Sequence, residues 1–223
     1  EGRAGDRWLA LAGIRYERVE TDTGPVQAYN NAAAPATVLV PAFNGADRAR
    51  ADDNVDLTLL ARHSPDPGLD VELGLARKVR SPSLYERYTW QSRGMEMLMV
   101  NWFGDGNGYL GNPDLEPEKA HTASVTLDWH APNRRWELKA TPYYTRVTDY
   151  VHAGRCPASL GGACTPANLA ATRSFVFLQF ANQAARLHGV DLSGRVALGS
   201  TAWGDWGLAA VASPARGRNL DTG

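Results

Sequence analysis

All three methionines of the 223-residue chain fall in one pentapeptide, Met95-Glu-Met-Leu-Met99. Thioether sulfur is a soft ligand that prefers Cu(I), and an M-x-M-x-M run in extended conformation places three sulfurs on one side. Met95, Met97 and Met99 are therefore the candidate substrate or metal ligands. The alternative is that they are adaptable apolar filler packing a loop against a neighbour. Two cysteines, Cys156 and Cys164, stand in the stretch C-P-A-S-L-G-G-A-C-T-P. They lack C-x-x-C spacing, and no second Cys/His pair completes a tetrahedral zinc site. The choice is between a local loop disulfide, formed in an oxidising compartment, and two free thiols.

The remaining chemical motifs are weaker. Gly104-Asp-Gly-Asn-Gly108, with Glu116 twelfth from Asp105, imitates a calcium loop. Tyr109 and Leu110, however, occupy the fifth and sixth positions, where an oxygen ligand and a glycine are needed, so the stretch reads as a glycine turn. His63, His121, His130, His152 and His188 are scattered, with no H-E-x-x-H and no i, i+4 pair. There is no G-x-S-x-G, no phosphate-binding glycine loop and no convergent acid/base set, so neither an enzyme nor a bound cofactor is expected. With 23 basic against 24 acidic residues, net charge −1, the chain has no surplus of cations for a polyanion, which excludes nucleic acid as a partner.

The elements that must carry these residues are strands. Period-2 alternation sets Val55, Leu57, Leu59 and Ala61 against Asp56, Thr58, Leu60 and Arg62. It sets Val71, Leu73 and Leu75 against Asp70, Glu72 and Gly74. Ala123, Val125, Leu127 and Trp129 oppose Thr122, Ser124, Thr126 and Asp128, and Trp136, Leu138, Ala140 and Tyr144 oppose Glu137, Lys139, Thr141 and Thr145. A long run puts Val176, Leu178, Phe180, Val190, Leu192, Val196 and Leu198 on one parity, with Asp191, Ser193 and Arg195 on the other. Adding Trp8–Val19 and Trp206–Ser213 gives about seven antiparallel strands, with no amphipathic helix of about ten residues or more between them. Leu60 breaks the polar face, and Pro142, which removes a ladder hydrogen bond in mid-strand, predicts a bulge there.

No apolar run approaches the roughly 18 residues of a spanning helix, but the mean hydropathy of −0.36 does not exclude a membrane barrel, whose strands average lipid-facing with lumen-facing residues. Connection lengths favour the barrel over a soluble sandwich. About 31 residues (22–52), five (64–68), about 39 (79–117), four (131–134), about 23 (151–173) and six (200–205) alternate long with short. Trp129 and Trp136 bracket one short turn and Trp203 and Trp206 another, whereas Tyr143, Tyr144, Tyr150, Phe175 and Phe177 lie toward the long loops, as two interfacial girdles require. The charged parity, Asp56, Arg62, Glu72, Asp128, Glu137, Lys139, Asp191 and Arg195, is then expected to face a watery lumen.

Three stretches carry a family resemblance. Leu75-Ala-Arg-Lys-Val-Arg-Ser-Pro-Ser-Leu-Tyr-Glu-Arg-Tyr88, Gly111-Asn-Pro-Asp-Leu-Glu-Pro-Glu-Lys-Ala-His121 and Phe180-Ala-Asn-Gln-Ala-Ala-Arg-Leu-His-Gly-Val-Asp-Leu-Ser193 resemble the barrel of TonB-dependent outer-membrane receptors. Asn101-Trp-Phe-Gly-Asp-Gly-Asn-Gly-Tyr109, Thr141-Pro-Tyr-Tyr-Thr145 and Arg155-Cys-Pro157 look like the copper-receptor branch. The resemblance implies a barrel of about 22 strands closed by an N-terminal plug domain, with uptake energised by TonB. Residues 1–223 would then be a barrel segment truncated at both ends, without the plug, in the bacterial outer membrane and in contact with its lipid. The implied substrate is a scarce metal, copper as ion or chelate, with a ferric siderophore as the alternative. The C-x-x-x-M and H-x-M ligand elements of the copper branch do not occur here, so no ligand residue carries over. A soluble or surface β-sandwich binding module is the reading of another class.

Overall fold

The computed structural model describes residues 2–3, 7–28, 32, 36–90, 107–155 and 177–222. Met95, Met97, Met99, Asp105, Cys156 and Cys164 lie outside the described residues. Ten strands form one sheet: β1 (Gly2–Arg3), β2 (Trp8–Thr21), β3 (Arg50–Asp66), β4 (Leu69–Arg80), β5 (Gly108–Leu110), β6 (Glu118–His130), β7 (Trp136–Arg155), β8 (Phe177–Thr201), β9 (Gly204–Ala212) and β10 (Ala215–Asn219). From β1 through β8 each long strand pairs antiparallel with the next along the chain. β9 and β10 both pair with β8, at Leu192–Thr201 and Ala185–Gly189, and act as one strand broken at Pro214, whose carbonyl accepts from Val190 N at 3.1 Å. A proline cannot donate to a ladder, which accounts for the break. The seven long strands of the alternation pattern are all present. β1 and β5 are short additions, and β5 runs parallel to β8.

Burial is inverted relative to a water-soluble sheet. Ile14 is 77%, Leu73 55%, Leu75 56% and Val211 83% exposed, whereas Asp52, Asn54, Asp56, Asp128, His130 and Glu137 are buried. The register makes this one continuous surface: Ala12, Leu59, Leu75, Ala123 and Tyr144 sit side by side across β2, β3, β4, β6 and β7. A contiguous apolar face of this extent is stable against hydrocarbon and not against water. The short turns at 67–68, 131–135 and 202–203 gather at one end with Trp8, Trp129, Trp136, Trp203 and Trp206, and Tyr16 and Tyr144 lie at the other. β7 has 20 residues, about 66 Å along the strand, far more than a band of about 25 Å requires, so the strands project beyond it on the long-loop side.

Four expectations are corrected. A ten-residue helix, α1 (Ala36–Gly45), occupies the first long connection despite Pro41 in its interior and no charged first or last turn. A second helix, α2 (Leu84–Tyr88), lies in the next. Pro142 does not make a bulge: the pairing of β7 with β8 runs through Pro142↔Val190 unshifted, and the missing ladder contact on the β6 side is bridged by the hydroxyls of Thr126 and Thr141 at 2.9 Å. The irregularity falls between Val147 and Tyr150, where Asp149 adopts φ 58°. Beside that shift the single parity of β8 also fails, with Phe180 3% exposed in an inner cluster while Leu192 and Leu198 stay on the apolar exterior. Finally, the long connections are shorter than the alternation suggested, because β3 begins at Arg50, β4 reaches Arg80 and β7 reaches Arg155.

Candidate functional site

The polar face of the sheet and a cap folded onto its long-loop end form the candidate site. On the wall, Asp56 accepts from Val79 N at 2.8 Å and pairs with Lys78 and Arg15. Arg62 pairs with its cross-strand partner Glu72 at 2.9 Å. Nearer the short turns, Glu137 binds Lys139 and Arg195, each at 2.6 Å, and Lys139 also reaches Asp128 at 3.4 Å. Asp191, on the same parity opposite Thr141, has no ionic or hydrogen-bond partner among the described residues. The structure thus brings seven of the eight charged candidates into ion pairs on one face and leaves Asp191 exposed.

One group on this wall has the geometry of a metal site. Ligand atoms of Asp70, Asp128 and His130 lie within 4.8 Å of one another. The formal charges around it balance without a metal: Asp70, Asp128 and Glu137 face Arg134, Lys139 and Arg195. The group therefore behaves as part of the ionic wall.

The cap explains the sequence motifs. In Arg80-Ser-Pro-Ser-Leu-Tyr-Glu-Arg-Tyr88 the helix α2 is closed by a capping box. Ser83 Oγ accepts from Glu86 N at 3.2 Å, and Glu86 Oε2 accepts from Ser83 N at 2.7 Å. Arg80 holds the same carboxylate through both terminal nitrogens at 2.8 and 3.0 Å and reaches Glu118 at 2.6 Å. Burial works to raise the Glu86 carboxyl, but Arg80 and the Ser83 backbone N–H outweigh it and hold the group below the usual carboxylate range. Arg87 is fully buried. Its Nη2 donates to both carboxylate oxygens of Asp52 at 2.7 and 2.9 Å and to the Leu115 carbonyl at 3.1 Å, and its Nη1 donates to Thr21 at 3.0 Å. The second motif lies on the first: Gly111 N donates to Thr89 O and Asn112 N to Glu86 O. A Cβ on Gly111 would stand 2.5 Å from the Arg87 carbonyl oxygen, so glycine is needed for this approach. The third motif locks both. Asn182 accepts from Glu116 N at 2.8 Å and donates to Glu116 O and Asp149 O. Phe180 packs among Tyr85, Tyr109, Leu115 and Val151. Arg87, Asp52 and Asn182 were not singled out by the sequence reading. The S-x-x-E spacing of Ser83 and Glu86 was the available signal.

Against the cap, α1 and β5 line a small cavity of about 180 Å³ with Leu39, Phe43, Trp90, Leu110, Pro113 and Gln179. Trp90 and Leu110 of this lining flank the methionine-bearing stretch in sequence.

An open antiparallel meander, apolar outside and ionic inside, with long connections folded onto one end, defines the class as a membrane β-barrel segment. The sequence profile of the TonB dependent receptor-like β-barrel matches residues 3–221, and the chain belongs to that family, whose members are transport receptors of the bacterial outer membrane. None of the curated proteins matches the sequence. Among solved structures the fold is similar to the copper transporter OprC (18% identity, TM-score 0.60, 98% of this chain and 27% of that one). It is also similar to the FrpB iron transporter from Neisseria meningitidis, F3-3 variant (13%, 0.55, 97% and 24%). The alcaligin outer-membrane receptor FauA from Bordetella pertussis is a third neighbour (13%, 0.54, 98% and 29%). The chain spans about a quarter of the length of these proteins.

Proposed function

We propose that the chain is a barrel segment of an outer-membrane receptor for TonB-energised uptake of a scarce metal, copper as ion or chelate. The observation that carries the substrate is the sequence Met95-Glu-Met-Leu-Met99, whose three soft sulfurs suit Cu(I). The similarity to a copper transporter supports the same metal. On this reading the plug and the TonB contact belong to parts of the protein outside this sequence. The ionic wall, with Asp56, Arg62, Glu72, Asp128, Glu137, Lys139, Asp191 and Arg195, solvates the lumen and meets the plug, and the chain catalyses no reaction. In the full-length receptor, replacing Met95, Met97 and Met99 by Leu is expected to lower copper binding by whole cells. Unchanged copper affinity removes copper from the proposal. A ferric siderophore is the second reading, supported by similarity to an iron transporter and an alcaligin receptor, and uptake of labelled ferric chelate by the same cells tests it.

A further inference from the structure

One row of the apolar exterior, which starts at Ile14 and Leu57, carries four arginines and a histidine across its remaining strands. Arg77 pairs in register with His121, His121 with Arg146, Arg146 with Arg186, and Arg186 with Arg218. With neighbouring strands about 4.8 Å apart, five basic residues line up over about 19 Å. They lie on the parity of Leu73, Leu75, Val125 and Tyr144, opposite the ionic wall. Like charges directly across a strand pair repel. On the inner wall each such cation has a carboxylate, but this row has none. His121, Arg146, Arg186 and Arg218 form no ion pair among the described residues, and Arg77 donates only to the Val55 carbonyl. Arg186 Nε is shielded from solvent and has no acceptor.

Two further observations bear on the kind of anion the row suits. Directly below the row the exterior holds an apolar furrow of about 480 Å³, with Leu57, Leu59, Leu75, Ala123 and Tyr144 as its walls and Arg77, His121 and Arg146 at its rim. An occupant with an apolar chain and an anionic head fits both parts. The charge is also one-sided. At the short-turn end the exterior rows are aromatic and aliphatic, as in Trp8, His63, Val71, Leu127, Ala140 and Leu192, and carry no Arg or Lys.

We propose that this row binds the phosphate groups of a membrane lipid in the leaflet on the long-loop side, with an acyl chain in the furrow. Several adjacent guanidinium groups suit a lipid carrying more than one phosphate. The inference rests on the outer-membrane reading above.

The test uses the full-length receptor extracted from membranes in neutral detergent, with lipid identified and counted per receptor by mass spectrometry. Wild type is expected to retain phosphorylated lipid through size exclusion. Arg146→Gln with Arg186→Gln is expected to weaken that retention about thirtyfold, and Arg146→Lys with Arg186→Lys to keep most of it. A second measurement needs no variant: reconstituted into phosphatidylcholine vesicles with a minor share of phosphatidic acid, the wild type should carry phosphatidic acid above the bulk ratio after re-extraction. Inorganic phosphate should not displace it, because the furrow holds the chain. Equal retention by wild type and the Gln pair, or a bulk ratio around the reconstituted receptor, overturns the inference while leaving the receptor reading intact. Displacement by inorganic phosphate reduces the row to a simple anion site and also overturns it. A wild-type receptor absent from the membrane fraction overturns both readings.

Discussion

Replacing Arg87 by Met probes the cap at its most buried charge. The guanidinium is completely enclosed and Asp52 is 8% exposed, so removing one partner strands a carboxylate in a site closed to water. Breaking a buried pair in this way costs about 3 to 5 kcal/mol, a factor of roughly 150 to 5,000 in an opening equilibrium. The cost falls on the cap, because strands β3, β4 and β6 keep their own ladders and α2 has only five residues. Hydrogen exchange on the full-length receptor in detergent measures it: amides at 85–89 and 111–115 should exchange faster by that factor, with the middle of β6 unchanged. Adding Asp52→Leu to Arg87→Met removes the stranded charge and should restore most of the protection, because a buried ion pair replaced on both sides by apolar groups is close to neutral. The reasoning is refuted if Arg87→Met leaves exchange at wild-type rates, or if the second substitution adds to the damage.

Three further outcomes are expected, two from the geometry and one from the sequence. Leu75→Arg places a charge on the apolar exterior away from the cationic row and should destabilise the inserted receptor by about 2 to 4 kcal/mol in detergent or lipid unfolding assays, whereas Ala76→Arg on the opposite parity should not cost that much. Because Glu86 has a lowered folded value, its contribution to α2 is fully present above the ordinary carboxylate value of about 4.3 and is lost as pH falls through the lowered one. Protection factors of the α2 amides, taken against the intrinsic exchange rate at each pH, should therefore be full from pH 5 upward and fall in acid, and Glu86→Gln should flatten that dependence. Cys156 and Cys164 are expected to be bridged: alkylation of the unreduced receptor should add no mass at either, and two labels should appear after reduction.

Strands were legible because a membrane exterior and an ionic interior impose opposite chemistry on successive residues, as from Val55 to Arg62. The register then carried each face across the sheet. Other features depend on partners far along the chain or on single backbone angles. α1 combines Thr37, Val38 and Val40 with an internal Pro41, a poor helix by local preference. The displaced irregularity in β7 depends on Asp149, not on the proline that seemed to require it. Arg87 did not stand out because nothing near it in sequence identifies Asp52, 35 residues away, as its partner. Pattern reading placed the wall, and the cap's long-range hydrogen bonds lay beyond it.

The neighbour-to-neighbour order of the long strands has a consequence for assembly. Each ladder closes over a turn or a single loop, so the sheet can grow hairpin by hairpin at low loop-closure cost. The Arg87–Asp52 and Asn182–Glu116 bonds span 35 and 66 residues and join strands laid down at different times. They can form only after the sheet has passed them, which makes the cap a late clasp: a barrel arrested before that stage would have intact walls and an unfastened mouth.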